Sequence, residues 1–239
     1  CSRTASATGL QRSMADGPFT EPTLAAAEER WTRARRHRSS PALFDRSVPE
    51  RLTRGHPVLP YVVLGPVALG CLVVGAEPAS IREVTGALWI GGWFGLGWLG
   101  WTLLEYLMHR FLFHLPRRTL RAKVFAYLVH GHHHIYPDDR SRIAATPIQF
   151  LSMTLVLAGL FLPFGSGGVI AFAGALAGYL VYETVHYQSH YGRPRTALGR
   201  ALRRHHLTHH FRADDSRWGI SSPLWDWIFR THRSRSSGS

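Results

Sequence analysis

Four long apolar segments constrain the fold of this chain more than any other feature of its sequence. They are Val58 to Gly75, Ala87 to Met108, Pro147 to Phe164 and Val169 to about Val185. Each is about long enough to cross the hydrocarbon core of a bilayer as a helix. Short turns, Glu77 to Glu83 and Gly165 to Gly168, separate the first from the second and the third from the fourth. The pattern predicts an all-α integral membrane protein with four transmembrane helices in two hairpins.

The charges of the chain are distributed unevenly around these segments. The net charge is +13, and the basic residues lie in residues 1–55, 109–149 and 184–239, whereas Arg82 is the only basic residue of the two short turns. Lys and Arg are enriched on the cytoplasmic side of membrane proteins. We therefore predict a multi-pass protein with both termini in the cytoplasm. This bias accounts for the arginines, so we expect no nucleic-acid partner.

Histidines are the most unusual feature of the predicted cytoplasmic side. Twelve of the fifteen form four clusters that begin where the apolar segments end. Ten of them have spacings that place side chains on shared or converging faces: His109, His114, His130, His133, His134, His186, His190, His206, His209 and His210. An unsatisfied buried polar group costs about 1–3 kcal/mol, and divalent metals would supply the missing partners. Ten imidazoles exceed one coordination sphere and predict two metal ions.

The surrounding residues narrow the choice of metal. The chain has two cysteines, Cys1 and Cys71, and Cys71 lies within an apolar segment. They provide no thiolate set for structural zinc. The pattern Glu183-Thr-Val-His186 fits the Glu-x-x-His pairs of di-iron bundles, whereas Glu105 and His109 miss that spacing by one residue. A site built almost wholly of imidazole suits iron, copper or zinc. Iron is favoured, because the histidines lie at a membrane surface, where an inert C–H bond of a lipid tail could enter the site. Activation of such a bond requires O₂ and a redox metal.

Three carboxylates are predicted to support these histidines. Glu105 and Glu183 are the acids within the second and fourth apolar segments, and each precedes a clustered histidine by about one helical turn. An ionisable side chain inside a membrane segment indicates function by default. Ligating histidines often donate their second N–H to a carboxylate. We assign Glu105, Asp139 and Glu183 to this supporting role.

Four motifs in order resemble the fatty acid hydroxylase/sterol desaturase superfamily, and most closely its fatty acid 2-hydroxylase branch. The motifs are Glu105-Tyr-x-x-His109-Arg-x-x-Phe-His114, His130-Gly-x-His133-His134-x-x-Pro-x-Asp139-x-x-Arg142, Tyr182-x-x-x-His186-Tyr-x-x-His190 and His206-Leu-x-His209-His210-Phe. A fifth stretch, Gly219-Ile-Ser-Ser-x-x-Trp225-Asp226-x-x-Phe229-x-Thr231, follows them. The resemblance covers about residues 58–232.

The resemblance implies a four-span membrane fold with a cytosolic helical cap that holds a dimetal centre. Carried over motif by motif, the ligands are the ten histidines named above, whereas His132 and His205 fall on variable positions. The implied function is an O₂-dependent di-iron oxidoreductase that hydroxylates the acyl chain of a fatty acid or lipid, at C2. Iron is the expected metal, and zinc could occupy the sites of isolated protein. Residues 1–55 cannot hold the haem-binding domain of eukaryotic members, so electrons would come from a separate electron-transfer protein.

Two other functions compete with this one. A sterol or carotenoid hydroxylase or desaturase would share the metal centre and differ in its pocket. A zinc transporter would place its ligands near the middle of the bilayer on broken helices, whereas these histidines lie outside the centres of the apolar segments. Transport is therefore disfavoured.

The organisation of the chain follows from composition. We predict a polar, basic and partly disordered segment at 1–55, a membrane hydroxylase domain at 56–232 and a disordered tail at 233–239. Met14 is the expected start residue. Arginine is abundant and Lys123 is the only lysine, which favours a GC-rich genome and a bacterial plasma membrane.

Overall fold

The structure is a computed structural model that describes residues 42–44, 47–76, 84–114 and 119–233. Every regular element within these ranges is helical, which confirms the all-α prediction. The expected start residue, most of the predicted N-terminal segment, the turn that contains Arg82 and nearly all of the predicted tail lie outside the described residues.

Nine α-helices form the described part of the chain. They are α1 (Ser47–Leu52), α2 (Leu59–Gly75), α3 (Val84–Leu107), α4 (Leu120–Ala126), α5 (His132–Ile135), α6 (Pro147–Phe161), α7 (Gly165–Tyr191), α8 (Ala197–Phe211) and α9 (Leu224–Ile228). A π-helix, Met108–Phe113, continues α3, and a second, Tyr127–Gly131, joins α4 to α5. A 3₁₀ turn, Leu162–Phe164, lies between α6 and α7.

Two helical stretches of the described chain are long and apolar enough to cross a membrane. They are Val84–Phe113 and Pro147–Tyr191. Helix α2 is also apolar, but it has only 17 residues. The assignment rests on length and composition, so the arrangement of four spans in two hairpins stays a prediction.

The longer stretch reverses direction in its middle. On a straight helix, Phe150 and Tyr179 would lie about 43 Å apart. Instead both belong to one buried cluster with Trp101. The chain turns at the 3₁₀ segment and at Gly165, whose φ of 67° is a conformation that favours glycine. Helices α6 and α7 therefore pack side by side, as expected for a hairpin.

Helix α7 lies at the centre of the bundle and contacts α2, α3, α6 and α8. Gly97 of α3 faces the Ala171 carbonyl of α7 so closely that a Cβ atom on Gly97 would overlap that oxygen. A glycine here allows the two backbones to approach each other. This contact fixes the position of α3, which leads into the first histidines, relative to α7, which carries the third cluster.

The segment before α2 packs onto the histidine-bearing part of the chain. Leu43 is buried against Tyr127, and the Leu43 N–H donates to the Glu50 carboxylate at 2.8 Å. Glu50 in turn pairs with the buried Arg142. Burial alone would raise the pKa of Glu50, but this N–H, the Arg54 side chain and the charge of Arg142 lower it below its ordinary value. The domain boundary at residue 55 stays a prediction.

Candidate metal centre

The structure brings the ten predicted histidines into two groups of five. The first group contains His109, His114, His130, His134 and His209. The second group contains His133, His186, His190, His206 and His210. Within each group, one ring nitrogen of every member lies within 4.8 Å of the others. His132 and His205 belong to neither group, and metal binding by the ten remains a prediction.

Two of the sequence motifs divide their histidines between the groups. In His130-x-x-His133-His134, the pair four residues apart joins the first group and the middle histidine joins the second. The other motif does the reverse. His206 and His210 join the second group, and His209 joins the first. Successive helical residues point about 100° apart, so each short helical segment can present ligands to two ions.

Ring nitrogens within the first group lie at distances that suit ligands of one metal ion. The Nε2 atoms of His109 and His130 are 3.0 Å apart, and those of His130 and His134 are 2.9 Å apart. Two nitrogens bound at about 2.1 Å to one ion, at a right angle, lie about 3 Å apart. The spacing therefore fits a metal ion held between these rings.

The second group shows the same spacing. Nε2 of His133 lies 2.9 Å from Nε2 of His186, and the His190 and His206 Nε2 atoms are also 2.9 Å apart. Both ring nitrogens of His210 are buried and have no hydrogen-bond partner among the described residues. Such a group costs about 1–3 kcal/mol unless something compensates for it. A bound cation would do so.

The protonation state of these histidines also suits a metal. Burial is the main cause that lowers the pKa of six of them well below the ordinary value, and neighbouring histidines add to the effect for all six. The six are His130, His133, His134, His206, His209 and His210. A metal binds the neutral imidazole, so the protein keeps these rings in the form that can act as a ligand.

A π-helix accounts for the first histidine pair. His109 and His114 are five residues apart, a spacing that points to different faces of an α-helix. The chain from Met108 to Phe113 is π-helical, and the i to i+5 bonds of this helix bring such residues one above the other. A second π-helix, Tyr127–Gly131, carries His130. Both irregular segments thus place ligands of the first group.

A loop at residues 216–221 lies directly behind the first group. Nδ1 of His109 donates to the Trp218 carbonyl at 2.6 Å, and Nδ1 of His209 donates to the Ser216 carbonyl at 2.8 Å. These bonds require the proton on Nδ1 and leave the Nε2 lone pair of each ring toward the group.

The three predicted supporting carboxylates are all buried near the histidines. Glu105 accepts bonds from the backbone N–H groups of Ile220 and Ser221 and from the Ser221 hydroxyl, so it reaches the histidines through the loop. Asp139 accepts from Ser141. Glu183 accepts from the Tyr179 hydroxyl at 2.7 Å. Their effect on metal binding stays a prediction.

The sequence alone gives no role to Asp226, although this residue stands in the motif that follows the four histidine motifs. The Asp226 carboxylate is fully buried and accepts bonds from His205, the hydroxyl of Thr231 and the backbone N–H groups of Trp218 and Gly219. Burial alone would raise its pKa, but the bond from His205 and the other donors lower it. A lone Asp in a motif gives no signal of this network, since its donors come from three separate parts of the chain.

A cavity of about 630 Å³ reaches both groups. His109 and His130 line it from the first group, and His133 and His186 line it from the second. Most of the remaining wall is apolar, with side chains from α1, α3, α4 and α6. Apolar wall residues such as Leu112, Phe125 and Ile148 are also exposed at the surface of the protein. The cavity therefore connects an apolar surface with the histidines, as an acyl chain would require.

Comparison with known proteins agrees with this geometry. The family model for fatty acid hydroxylases matches residues 94–231. A dihydroceramide fatty acyl 2-hydroxylase of Arabidopsis thaliana is 40% identical over 146 residues, which cover 59% of this chain and 61% of that protein. A fatty acid 2-hydroxylase of Mus musculus is also 40% identical over 146 residues, but these cover only 39% of its length. The predicted bacterial source stays a prediction, since both relatives are eukaryotic.

A solved structure shows the same architecture. It is that of full-length scs7p, of which only the hydroxylase domain is visible, and it matches with a TM-score of 0.71 and 29% identity. The match covers 80% of this chain and 72% of that one. The resemblance drawn from the four histidine motifs is thereby confirmed, and the chain belongs to the fatty acid hydroxylase family.

Proposed function

We propose that this protein is a membrane-bound dimetal oxygenase that hydroxylates an acyl chain of a lipid at C2. The observation that carries the proposal is the apolar cavity that ends at both histidine groups. An acyl chain in this cavity would bring its polar end and C2 toward the histidines while its tail stays in apolar surroundings. The names of the relatives, which specify 2-hydroxylation, support the position of attack.

The two groups of five histidines would each hold one ion, with iron expected in the active protein. Bound iron would supply the activation of O₂ that an unreactive C–H bond requires. The reaction consumes O₂, two electrons and two protons, and it yields the hydroxylated chain and water. The apolar wall excludes bulk water from the reacting carbon, and the buried histidines stay neutral.

Charges along the cavity favour a neutral, amide-linked acyl chain over a free fatty acid. Arg142 is the only Lys or Arg among the described lining residues, and it already pairs with Glu50 and lies 3.8 Å from Asp139. Glu105 and Glu183 also line the wall. A free carboxylate would meet no unpaired Lys or Arg side chain along the wall, whereas an amide needs none. The name of the plant relative, which specifies a dihydroceramide, is consistent with this choice.

The proposal includes the membrane arrangement and the electron supply. Four spans in two hairpins would place the histidine-bearing cap and both termini in the cytoplasm, as the charge bias predicts. A separate electron-transfer protein would dock on the cap, where five of six arginines on and around α8 are exposed: Arg193, Arg195, Arg200, Arg204 and Arg212. The positive surface would speed the approach of an acidic carrier.

Lipid analysis of a host that lacks its own acyl hydroxylase tests the function. Cells that express this chain should accumulate lipids with a 2-hydroxyacyl group, identified by mass spectrometry of released fatty acids. A matched strain that expresses His133→Ala with His186→Ala should show none. A hydroxylated or desaturated sterol or carotenoid, with unchanged acyl chains, would replace the proposal by the alternative enzyme class. Zinc uptake without any lipid change would support transport.

A further inference from the structure

We propose that Asp226 positions the ligands of the first metal site, and not those of the second, through the loop at residues 216–221. The inference rests on the two-metal part of the proposed function. Asp226 lies in α9, and the described structure shows no direct contact between its carboxylate and any of the ten predicted ligands. It is a positioning residue, and its effect passes through the backbone of the loop.

The loop contacts three of the five histidines in the first group. Its Trp218 and Ser216 carbonyls accept the Nδ1 protons of His109 and His209. The Trp218 ring also packs edge-on against His114, with ring centroids 4.8 Å apart. The position of this loop therefore sets the tautomers of His109 and His209 and helps to orient His114.

Asp226 fixes the loop with bonds that only a carboxylate can accept. Its Oδ1 accepts from the Trp218 N–H at 2.9 Å and the Thr231 hydroxyl at 2.7 Å. Its Oδ2 accepts from the Gly219 N–H at 2.8 Å and from His205 at 3.0 Å. An asparagine has nearly the same shape, but its NH₂ group is a donor. In Asp226→Asn, the two donors that now bond to one of the carboxylate oxygens would face this NH₂ group in a buried site.

Three of the five rings in the second group lack this support. The Nδ1 atoms of His133, His206 and His210 are buried without a hydrogen-bond partner among the described residues, so no loop carbonyl fixes these rings. Helix α8 carries histidines of both groups and has its own attachment to α7, because Arg203 donates to the Ser189 carbonyl at 2.9 Å. Loss of the bond between His205 and Asp226 should therefore leave the second group in place, because α8 keeps its attachment to α7.

Metal content of the purified full-length protein tests this inference. Wild-type protein loaded with Zn²⁺ and dialysed should retain two ions per chain, whereas Asp226→Asn should retain about one. Loss of a partner behind a ligating histidine lowers metal affinity by about 10–100-fold. Asp215→Asn is the matched control, because Asp215 is exposed and lies beside the same loop. This control should keep two ions.

Paired histidine lesions identify the site that Asp226 serves. With His190→Ala and His206→Ala only the first site remains, and adding Asp226→Asn should reduce one ion to nearly none. With His114→Ala and His134→Ala only the second site remains, and adding Asp226→Asn should leave that ion bound. Equal loss from both backgrounds, or two ions in the single Asp226→Asn protein, would overturn the inference.

Two milder variants serve if Asp226→Asn fails to fold. Thr231→Val removes one of the four donors to Asp226, and Ser221→Ala removes the hydroxyl donor to Glu105 at the other end of the loop. Chelator competition should show weaker Zn²⁺ binding at the first site and unchanged binding at the second. Unchanged binding at both sites would overturn the inference. Wild-type protein that holds fewer than two ions would overturn both the inference and the two-metal proposal.

Discussion

Glu50 and Arg142 form an ion pair between residues that are 92 positions apart in the sequence. The pair joins α1 to the segment that follows the second histidine cluster. Leu43, Phe44 and Leu52, which flank Glu50 in the sequence, line the cavity that reaches the histidines. The pair therefore holds part of the cavity wall in place, and it ties this wall, which precedes the region that the family model matches, to Arg142 within that region.

Removal of Glu50 should destabilise the protein and loosen this wall. Arg142 has only 4% of its side chain exposed, so Glu50→Ala would leave a buried guanidinium without its closest partner, at a cost of about 1–3 kcal/mol. Thermal unfolding in detergent and limited proteolysis of residues 42–55 would measure the two effects. Arg54→Ala is the control, since Arg54 is 40% exposed and its loss should cost under about 1 kcal/mol. Equal stability of Glu50→Ala and wild type would contradict the assigned role.

The contribution of Glu50 to stability should disappear in acid. Although burial opposes ionisation, the N–H of Leu43, Arg54 and Arg142 together lower the pKa of Glu50 below its ordinary value of 4.5. A carboxyl group with a lowered pKa in the folded state stabilises the protein above its ordinary pKa, and this stabilisation is lost as the pH falls through the folded value. The difference in unfolding free energy between wild type and Glu50→Gln should be constant above pH 5 or so and shrink below 4.5. A difference that grows in acid would have the wrong sign.

Filling the cavity from α6 should lower activity on long acyl chains. Val156 lines the cavity and its neighbour Leu155 does not, and both are exposed, at 48% and 74%. Val156→Trp should therefore reduce kcat/KM for a long-chain substrate by about tenfold, roughly 1.4 kcal/mol, and favour shorter chains. Leu155→Trp adds the same bulk on the outer face and should have little effect. The same loss in both variants would show that the bulk acts on folding or insertion rather than on the cavity.

Electron delivery should depend on the arginines of α8 and its flanks. Arg204→Glu with Arg212→Glu should slow turnover with an added ferredoxin and its reductase, because charge complementarity raises the rate of encounter. Turnover of the wild type should also fall as ionic strength rises. Arg51→Glu changes an exposed arginine of α1 and serves as the control. If turnover is independent of salt and of all three substitutions, the arginines face lipid headgroups and the carrier docks elsewhere.

The sequence by itself determined the class of fold and the inventory of the site. Uninterrupted apolar runs leave a chain few choices other than helices, because helices satisfy their own backbone polar groups. Local spacing was enough to select His130, His133 and His134 as ligand candidates, since residues three and four apart share a helix face, whereas the resemblance to the family set His132 aside. These features are local, so they can be read without knowing how the helices pack.

Only the tertiary structure decided how the ten histidines divide and what holds them. His133 and His134 are neighbours in the sequence, yet they belong to different groups, because His133 packs against His186 and His190 of α7 and His134 packs against His114. The roles of Asp226 and Glu50 were equally hidden, since each carboxylate accepts bonds from groups that the chain brings together only on folding. Spacing along one helix gives the direction of a side chain, but its partner depends on the packing of distant segments.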